Sequence, residues 1–299
     1  MKCAVVTGAA GFVGCNLVEA LIAHGYFVYC VVRPKSRHNS RLAESNRLKL
    51  VAADMSEYEQ LAEMIGGSAD IFFHGAWQGG RYNFAEQSPN IAAALAALRA
   101  AKALGCKRFV ATGSQAEYGP KQELITEECL PQPIDAYGSA KLAACILSRQ
   151  LAADLGMEWI WGRIFSVYGK YEPPGRMLPD LIAALVAGED FPLSAATQYW
   201  DYLYSSDCAE ALAALGEYGR QGEIYNIANG DCRPLKEFTE AVRSVAAPSR
   251  SLSYGAKPAG TIYSLMVKAE KLKRDTGWKP KIEFAEGIRL MCNKSGDKK

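Results

Sequence analysis

The sequence predicts an α/β protein, a doubly wound parallel sheet followed by a smaller C-terminal lobe. Three observations carry this. Short β-branched runs alternate with helical patterns through the first 165 residues, a glycine-rich turn joins the first strand to the first helix, and the alternation gives way to Gly- and Pro-rich loops after about Phe165. Such alternation implies right-handed crossovers and parallel strands. A length of 299 residues suits one large α/β unit or two coupled lobes.

Residues 2–7 read as the first strand and 12–24 as the first helix. Leu17 with Leu21, and Val18 with Ile22, recur at four-residue spacing and put an apolar stripe on one helix face. Gly25 follows as a C-terminal stop. Further strands are expected at 27–32, 48–52, 71–74, 108–112 and 158–164, with helices at 58–65, 91–104 and 138–155, the last two closed by Gly105 and Gly156. Residues 168–179 read as a loop and 178–187 as a short helix. A strand–helix–strand return is expected over 202–204, 207–215 and 223–227. The remainder, with Pro234, Pro248, Pro258 and Pro280, reads as short elements ending in a basic tail (Lys294, Lys298, Lys299) that is expected to fray. The expected organisation is a dinucleotide-binding lobe over 1–165 joined by 202–228, and a substrate-binding lobe over 166–201 and 229–299.

Composition narrows the function classes. Hydrophobic residues at 49% and charged residues at 22% are ordinary globular usage. A net charge of +2 with no Lys/Arg run offers no footprint for nucleic acid or an anionic membrane. No stretch reaches the roughly 18 apolar residues of a membrane span. Met1-Lys2 runs straight into the first strand, with no room for a signal peptide, so a cytoplasmic location is expected. The nine cysteines are scattered without a C-x-x-C, the usage of reduced thiols, and the three histidines are too dispersed for a metal cluster. No metal is expected.

Thr7-Gly8-Ala9-Ala10-Gly11-Phe12-Val13-Gly14 is spaced G-x-x-G-x-x-G, not G-x-G-x-x-G. By itself it is weak evidence, since a bland Gly-rich turn is the alternative. Between strand and helix, its glycines let the backbone approach a pyrophosphate while the helix N-terminus supplies free N–H groups, the Rossmann-type arrangement. Gly8, Gly11, Phe12, Val13 and Gly14 are therefore cofactor candidates. An acid after the second strand would bind the ribose hydroxyls of NAD. Here Val32 is followed by Arg33-Pro34-Lys35-Ser36-Arg37. Arg33, helped by Ser36 or Arg37, suits the 2′-phosphate of NADP through charge-assisted hydrogen bonds; the alternative is a solvated basic turn.

Tyr137-Gly138-Ser139-Ala140-Lys141 opens the helix after the fifth strand. Four-residue spacing puts Lys141 on the face of Tyr137, reaching toward the cofactor ribose and the phenol. A nearby ammonium and the positive nicotinamide ring favour the phenolate, so Tyr137 is expected to titrate below its usual value and pass a proton to or from a substrate oxygen. Ser114, just past the fifth strand, is placed to bond the same oxygen. A lone Y-x-x-x-K usually marks only a helix start; in order with the glycine turn and Ser114 it reads as catalytic.

These strings, taken together, resemble the extended short-chain dehydrogenase/reductase family, the nucleotide-sugar epimerase, dehydratase and reductase group. The matches are TGAAGFVG at 7–14, AADM at 52–55, HGA at 74–76, Asn90, ATGSQAEYG at 111–119, YGSAK at 137–141, RIFSVYG at 163–169 and DYLYSSD at 201–207. The resemblance implies that Asp54 and Met55 line the adenine and that Ala76 and Phe165 flank the nicotinamide end. It also puts Asn90 and Thr112 in the cofactor-binding set, and it implies a homodimer through 91–104 and 138–155. Departures matter as much. The 4,6-dehydratases carry Asp-Glu after the catalytic hydroxyl residue, where this chain has Gln115-Ala116, so dehydration is not expected. Trp200 stands where the family commonly has a diphosphate-holding Arg, and Ser166 where it has Asn. Trp77 replaces a small residue and is either a wall over the sugar or core packing. Trp77, Ser114, Gln115, Ser166 and Trp200 form the substrate-side set.

Three functions fit. The first is NADP-dependent reduction of a nucleotide-activated 4-keto-6-deoxy sugar. The second is a nucleotide-sugar 4-epimerase with tightly bound NAD, against which the missing acid after Val32 argues. The third is a dinucleotide-sensing protein without catalysis, disfavoured by the intact Ser114, Tyr137 and Lys141.

Overall fold

The computed structural model describes residues 1–256 and 264–294. Strand β1 (Cys3–Thr7) leads into α1 (Phe12–Ala23), followed by β2 (Phe27–Val32), β3 (Leu48–Ala52), α2 (Leu61–Ile65) and β4 (Ile71–His74). Next come α3 (Phe84–Ala103), β5 (Arg108–Ser114), α4 (Ala136–Asp154), β6 (Glu158–Ile164), β7 (Val167–Tyr168) and α5 (Met177–Ala187). The chain continues through β8 (Tyr199–Trp200), β9 (Leu203–Tyr204), α6 (Ser205–Tyr218), β10 (Ile224–Ile227) and β11 (Arg233–Pro234). Helices α7 (Leu235–Ala246), α8 (Glu270–Thr276) and α9 (Phe284–Lys294) complete the described residues.

Among the described residues, seven strands form one sheet in the order β10-β6-β5-β4-β1-β2-β3, every neighbouring pair parallel. Both faces are covered, so the central strands read as continuous apolar runs. The two-residue period is visible in β1. Ala4 and Val6 pack with Leu17, Leu21 and Leu212 on one face, and Val5 packs with Phe72, Ala97 and Phe109 on the other. Strand order reverses between β1 and β4, the switch point at which such sheets bind ligands beyond their carboxyl ends.

A second apolar cluster lies outside the sheet, where α5, α7 and α9 surround Tyr168, Tyr202, Phe238 and Phe284. The Phe238 and Phe284 rings stand 4.7 Å apart edge to face, and Tyr202 lies 5.1 Å from Phe238. Its strands are short: β8 pairs antiparallel with β11, and β7 parallel with β9.

Several elements differ from the expected ones. Helix α3 begins at Phe84 rather than at 91, although Pro89 interrupts its backbone hydrogen bonding. The Asn83 side chain accepts from the Ala85 and Glu86 N–H groups and fixes the first turn ahead of the proline. Residues 58–65 divide into a 3₁₀ turn, Met55–Gln60, and α2; a reciprocal Asp54–Glu57 capping box starts the turn. Strand β5 runs two residues beyond 112, to Ser114. Helices α7, α8 and α9 occupy the region expected to hold only short elements, and α7 and α9 run to 12 and 11 residues. Gly25, Gly105 and Gly156 follow their helices with positive φ, as expected of C-terminal stops. Pro258, Lys298 and Lys299 lie outside the described residues, and no helix among those described is long and apolar enough to cross a membrane.

Candidate active site

The turn between β1 and α1 needs its glycines for distinct reasons. Gly8 has φ +68°, and a Cβ there would lie 2.8 Å from the Ala76 nitrogen in the loop after β4. At Gly14 a Cβ would run into the Gly8 carbonyl, so this residue lets α1 start against the turn. Phe12 and Val13 open the helix, which has no side-chain cap and no acid in its first turn, leaving its N-terminal N–H groups for an anion. Thr7 ties the two switch-point loops: its hydroxyl meets His74 Nδ1 at 2.9 Å and accepts from the Ala76 N–H at 3.4 Å.

Beyond β2, Arg33, Pro34, Ser36, Arg37, His38 and Asp54 line one pocket. The Ser36 hydroxyl accepts from the His38 N–H and starts the 3₁₀ turn Arg37–Arg41. Burial and the neighbouring arginines Arg41, Arg37 and Arg33 push His38 below its ordinary pKa, so the cations here crowd one another. Met55 packs against the sheet behind Asp54. A cradle that any Cβ would fill, an uncapped helix start and a basic pocket fit a dinucleotide with charge at its adenosine end.

Ser114, Tyr137 and Lys141 come from the end of β5 and the first turns of α4. The Asp135 side chain accepts from the Gly138 N–H and also pairs with Arg81 at 2.6 Å, while the Tyr137 N–H donates to the Arg81 carbonyl at 3.0 Å. The start of α4 is thereby pinned to the loop after β4. The Ser114 hydroxyl accepts from the Ala116 N–H, which leaves its own proton to donate. Its backbone N–H donates to Glu117 Oε1 at 2.8 Å. Glu117 is fully buried, accepting also from Trp161 Nε1, and it pairs with the equally buried Arg163 at 2.7 Å. Arg163 lies over the Tyr118 ring, and Tyr118 donates to Asn226.

The lysine departs from expectation. Lys141 Nζ donates to the Thr112 carbonyl at 2.6 Å and sits 3.8 Å from the centroid of the Trp77 ring. Burial pushes it down to about 7, with Glu117 opposing. Tyr137 is held above its ordinary value, because burial outweighs the hydrogen bond from Ser114 and the Arg81 charge. The depression expected from Lys141 is absent, because the ammonium is engaged by the Thr112 carbonyl and the Trp77 ring.

The remaining predicted residues are placed as follows. Ala76 is buried beside the glycine turn, and Phe165 packs near Tyr118 with its N–H on the Ile227 carbonyl. Asn90 is fully buried and braces the loop after β4, accepting from the Gln78 N–H and donating to the Gln78, Glu86 and Gln87 carbonyls. Its amide is committed to the scaffold. Thr112 bonds the His74 carbonyl through its hydroxyl. Gln115 begins a 3₁₀ turn, and the Ser166 carbonyl accepts from the Leu203 N–H. Trp200 pairs in register with Arg233, whose guanidinium pairs with Asp231 at 3.1 Å and lies 4.5 Å from the centroid of the Phe238 ring. Sequence reasoning missed His38, Gln87, Glu117 and Arg233. Glu117 and Gln87 give no signal, because an acid or amide reads as exposed until the fold buries it. Among the described residues, no group of three or more His, Cys, Asp or Glu is placed to hold a metal.

A parallel sheet with a glycine turn at its switch point, and Ser, Tyr and Lys at the neighbouring strand end, defines a dinucleotide-dependent oxidoreductase of the extended short-chain dehydrogenase/reductase group. Residues 4–228 match the NAD dependent epimerase/dehydratase family, and the chain belongs to it. The UDP-glucose 4-epimerase of Corynebacterium glutamicum is 26% identical over 92% of this chain and 90% of its own. The dTDP-glucose 4,6-dehydratase of Xanthomonas campestris is 26% identical over 96% of this chain and 91% of its own. The solved structure of MoeE5 in complex with UDP-glucuronic acid and NAD superposes with a TM-score of 0.83 at 26% identity, over 98% of this chain and 99% of that one.

Proposed function

We propose that the protein reduces the keto group of a nucleotide-activated 4-keto-6-deoxy sugar, with NADP as its cofactor. The observation that carries this is the pocket after β2, where Arg33, Ser36, Arg37 and His38 gather and no acid follows Val32. The acid that does reach it, Asp54, is already a cap for the 3₁₀ turn behind it. Gly8, Gly11, Phe12, Val13 and Gly14 would cradle the pyrophosphate, with Ala76 and Phe165 toward the nicotinamide.

When bound, the reduced cofactor supplies hydride to the carbonyl carbon. Ser114, whose hydroxyl accepts from the Ala116 N–H and bonds Tyr137, would turn its proton to the carbonyl oxygen and stabilise its developing charge. Tyr137 passes its phenolic proton to that oxygen; burial keeps the phenol protonated at neutral pH, the form a reduction needs. Lys141 supplies the positive charge beside them. Gln115 and Ala116 offer no acid–base pair for elimination of water.

The substrate lobe, 166–201 and 229–299, would close over the sugar nucleotide, with Trp77, Gln115 and Ser166 along the sugar. Arg233, in register with Trp200, would have to exchange its Asp231 partner for the diphosphate to serve as the arginine that the sequence lacks at 200. A homodimer through α3 and α4 accords with the exposed Ile146 and Leu147 on α4.

A second reading is the 4-epimerase with retained NAD, favoured by the activity of the Corynebacterium relative and the NAD in the MoeE5 complex. Cofactor consumption against a panel of nucleotide 4-keto-6-deoxy sugars separates the two. Stoichiometric NADPH loss with one sugar, and slower loss of NADH, is the expected result. No consumption, with NAD released on denaturation, would establish the epimerase instead.

A further inference from the structure

Trp77 is aimed at the lysine. Its indole Nε1–H donates to Gln87 Oε1 at 2.7 Å. Gln87 is 1% exposed, and its own amide nitrogen is fixed on the Gln78 and Gly80 carbonyls at 3.3 and 3.2 Å. The ring is therefore held in one orientation. Lys141 Nζ sits 3.8 Å from the ring centroid while donating to Thr112, and the Tyr137 ring meets the same indole edge to face at 6.2 Å.

We propose that Trp77 is a positioning residue for Lys141: oriented by Gln87, its π face holds the ammonium against the Thr112 carbonyl and keeps it charged. A cation on a desolvated indole face is attracted by the ring quadrupole, most strongly where water is excluded. The other groups facing Lys141 do this poorly. His74, at the end of β4, is neutral, since burial and Lys141 push it down to about 3. Glu117, in the turn after β5, supports the charge, but its carboxylate is shared among Arg163 of β6, Trp161 and the Ser114 N–H. Tyr137, on the same helix as Lys141, is held in its neutral form. Burial works against the ammonium, and the indole face opposes that loss.

The functional importance of this contact rests on the Ser/Tyr/Lys reading above, but its test needs neither cofactor nor substrate. Protein carrying [ε-¹³C]lysine would be titrated by NMR, with the Lys141 signal identified by its loss in Lys141→Arg. Trp77→Leu keeps apolar bulk and removes the π face, and the Lys141 midpoint falls by about one pH unit. Trp77→Phe recovers part of the shift, and Gln87→Leu, which releases the ring, lowers the midpoint by less. An unchanged midpoint in Trp77→Leu, or equal midpoints in the Leu and Phe variants, would overturn the proposal. Should Trp77→Leu lose its cooperative melt, the Phe and Gln87→Leu variants decide, and no shift in either overturns it. A shifted midpoint without any keto-sugar reduction would retire the proposed reaction and leave the Trp77 contact standing.

Discussion

Around β1 and β4 the backbone is ordered by the sheet itself, whereas around β8, β9 and β11 the strands are two residues long and buried carboxylates take over. In the first region the loops that build the cofactor cradle hang from a continuous parallel ladder. In the second, Asp201 accepts from the Asn229 and Gly230 N–H groups at 2.9 and 2.7 Å. Asp207 likewise accepts from the Lys281 and Ile282 N–H groups at 3.0 and 2.8 Å, tying the segment before α9 to α6. The difference is between order from periodicity and order from single side chains. Apart from glycines such as Gly8 and Gly14, where a Cβ would meet backbone, the first rests on the ladder; the second depends on a few acids.

The junction between the regions should be the most sensitive point. Glu117→Ala leaves Arg163 buried without its partner and removes the acceptor for the Ser114 N–H, a loss of roughly 3–5 kcal/mol. Urea denaturation measures it, and a loss under about 1 kcal/mol would show that the pair does not hold the strand ends together. Arg33→Ala, in the cradle, should leave folding unchanged and weaken NADP binding by about 1.5–3 kcal/mol, with NAD unaffected. Calorimetric titration with both dinucleotides checks this, and equal losses for the two would make the arginine a general rather than a phosphate-specific contact.

A smaller, graded effect comes from the carboxylate clamps. Burial raises Asp201 to about 6 against the bonds from Asn229 and Gly230. Between its ordinary 3.8 and that value the folded chain binds more protons than the unfolded chain. Stability therefore falls as pH rises through this window, by at most about 1.4 kcal/mol per pH unit. Melting followed across that range should show the slope in wild type and a flatter profile in Asp201→Asn; identical slopes would remove Asp201 from the account.

The same contrast explains what the sequence made legible. The strands, the glycine turn and the helix stops follow from local periodicity and backbone conformation, so Gly8, Gly25, Gly105 and Gly156 lie where the pattern puts them. Helix α3 was read short, because Pro89 announces a break that the Asn83 cap and tertiary packing override. Helix α7 was hidden among prolines, although Leu235, Phe238, Thr239 and Val242 line its buried face at helical spacing. Motif order brought Ser114, Tyr137 and Lys141 to one strand end, but no spacing reveals that Lys141 rests on Trp77 or that Glu117 underlies Ser114. Those contacts join residues far apart in the chain, and only folding creates them.

The central claim is that Tyr137 gives the proton that completes hydride transfer to a keto sugar. Its most direct test is single-turnover oxidation of bound NADPH by wild type and Tyr137→Phe with the same nucleotide keto sugar. The rate should fall by about 100-fold or more while NADPH binds equally well. A Phe variant that oxidises NADPH at the wild-type rate would contradict it.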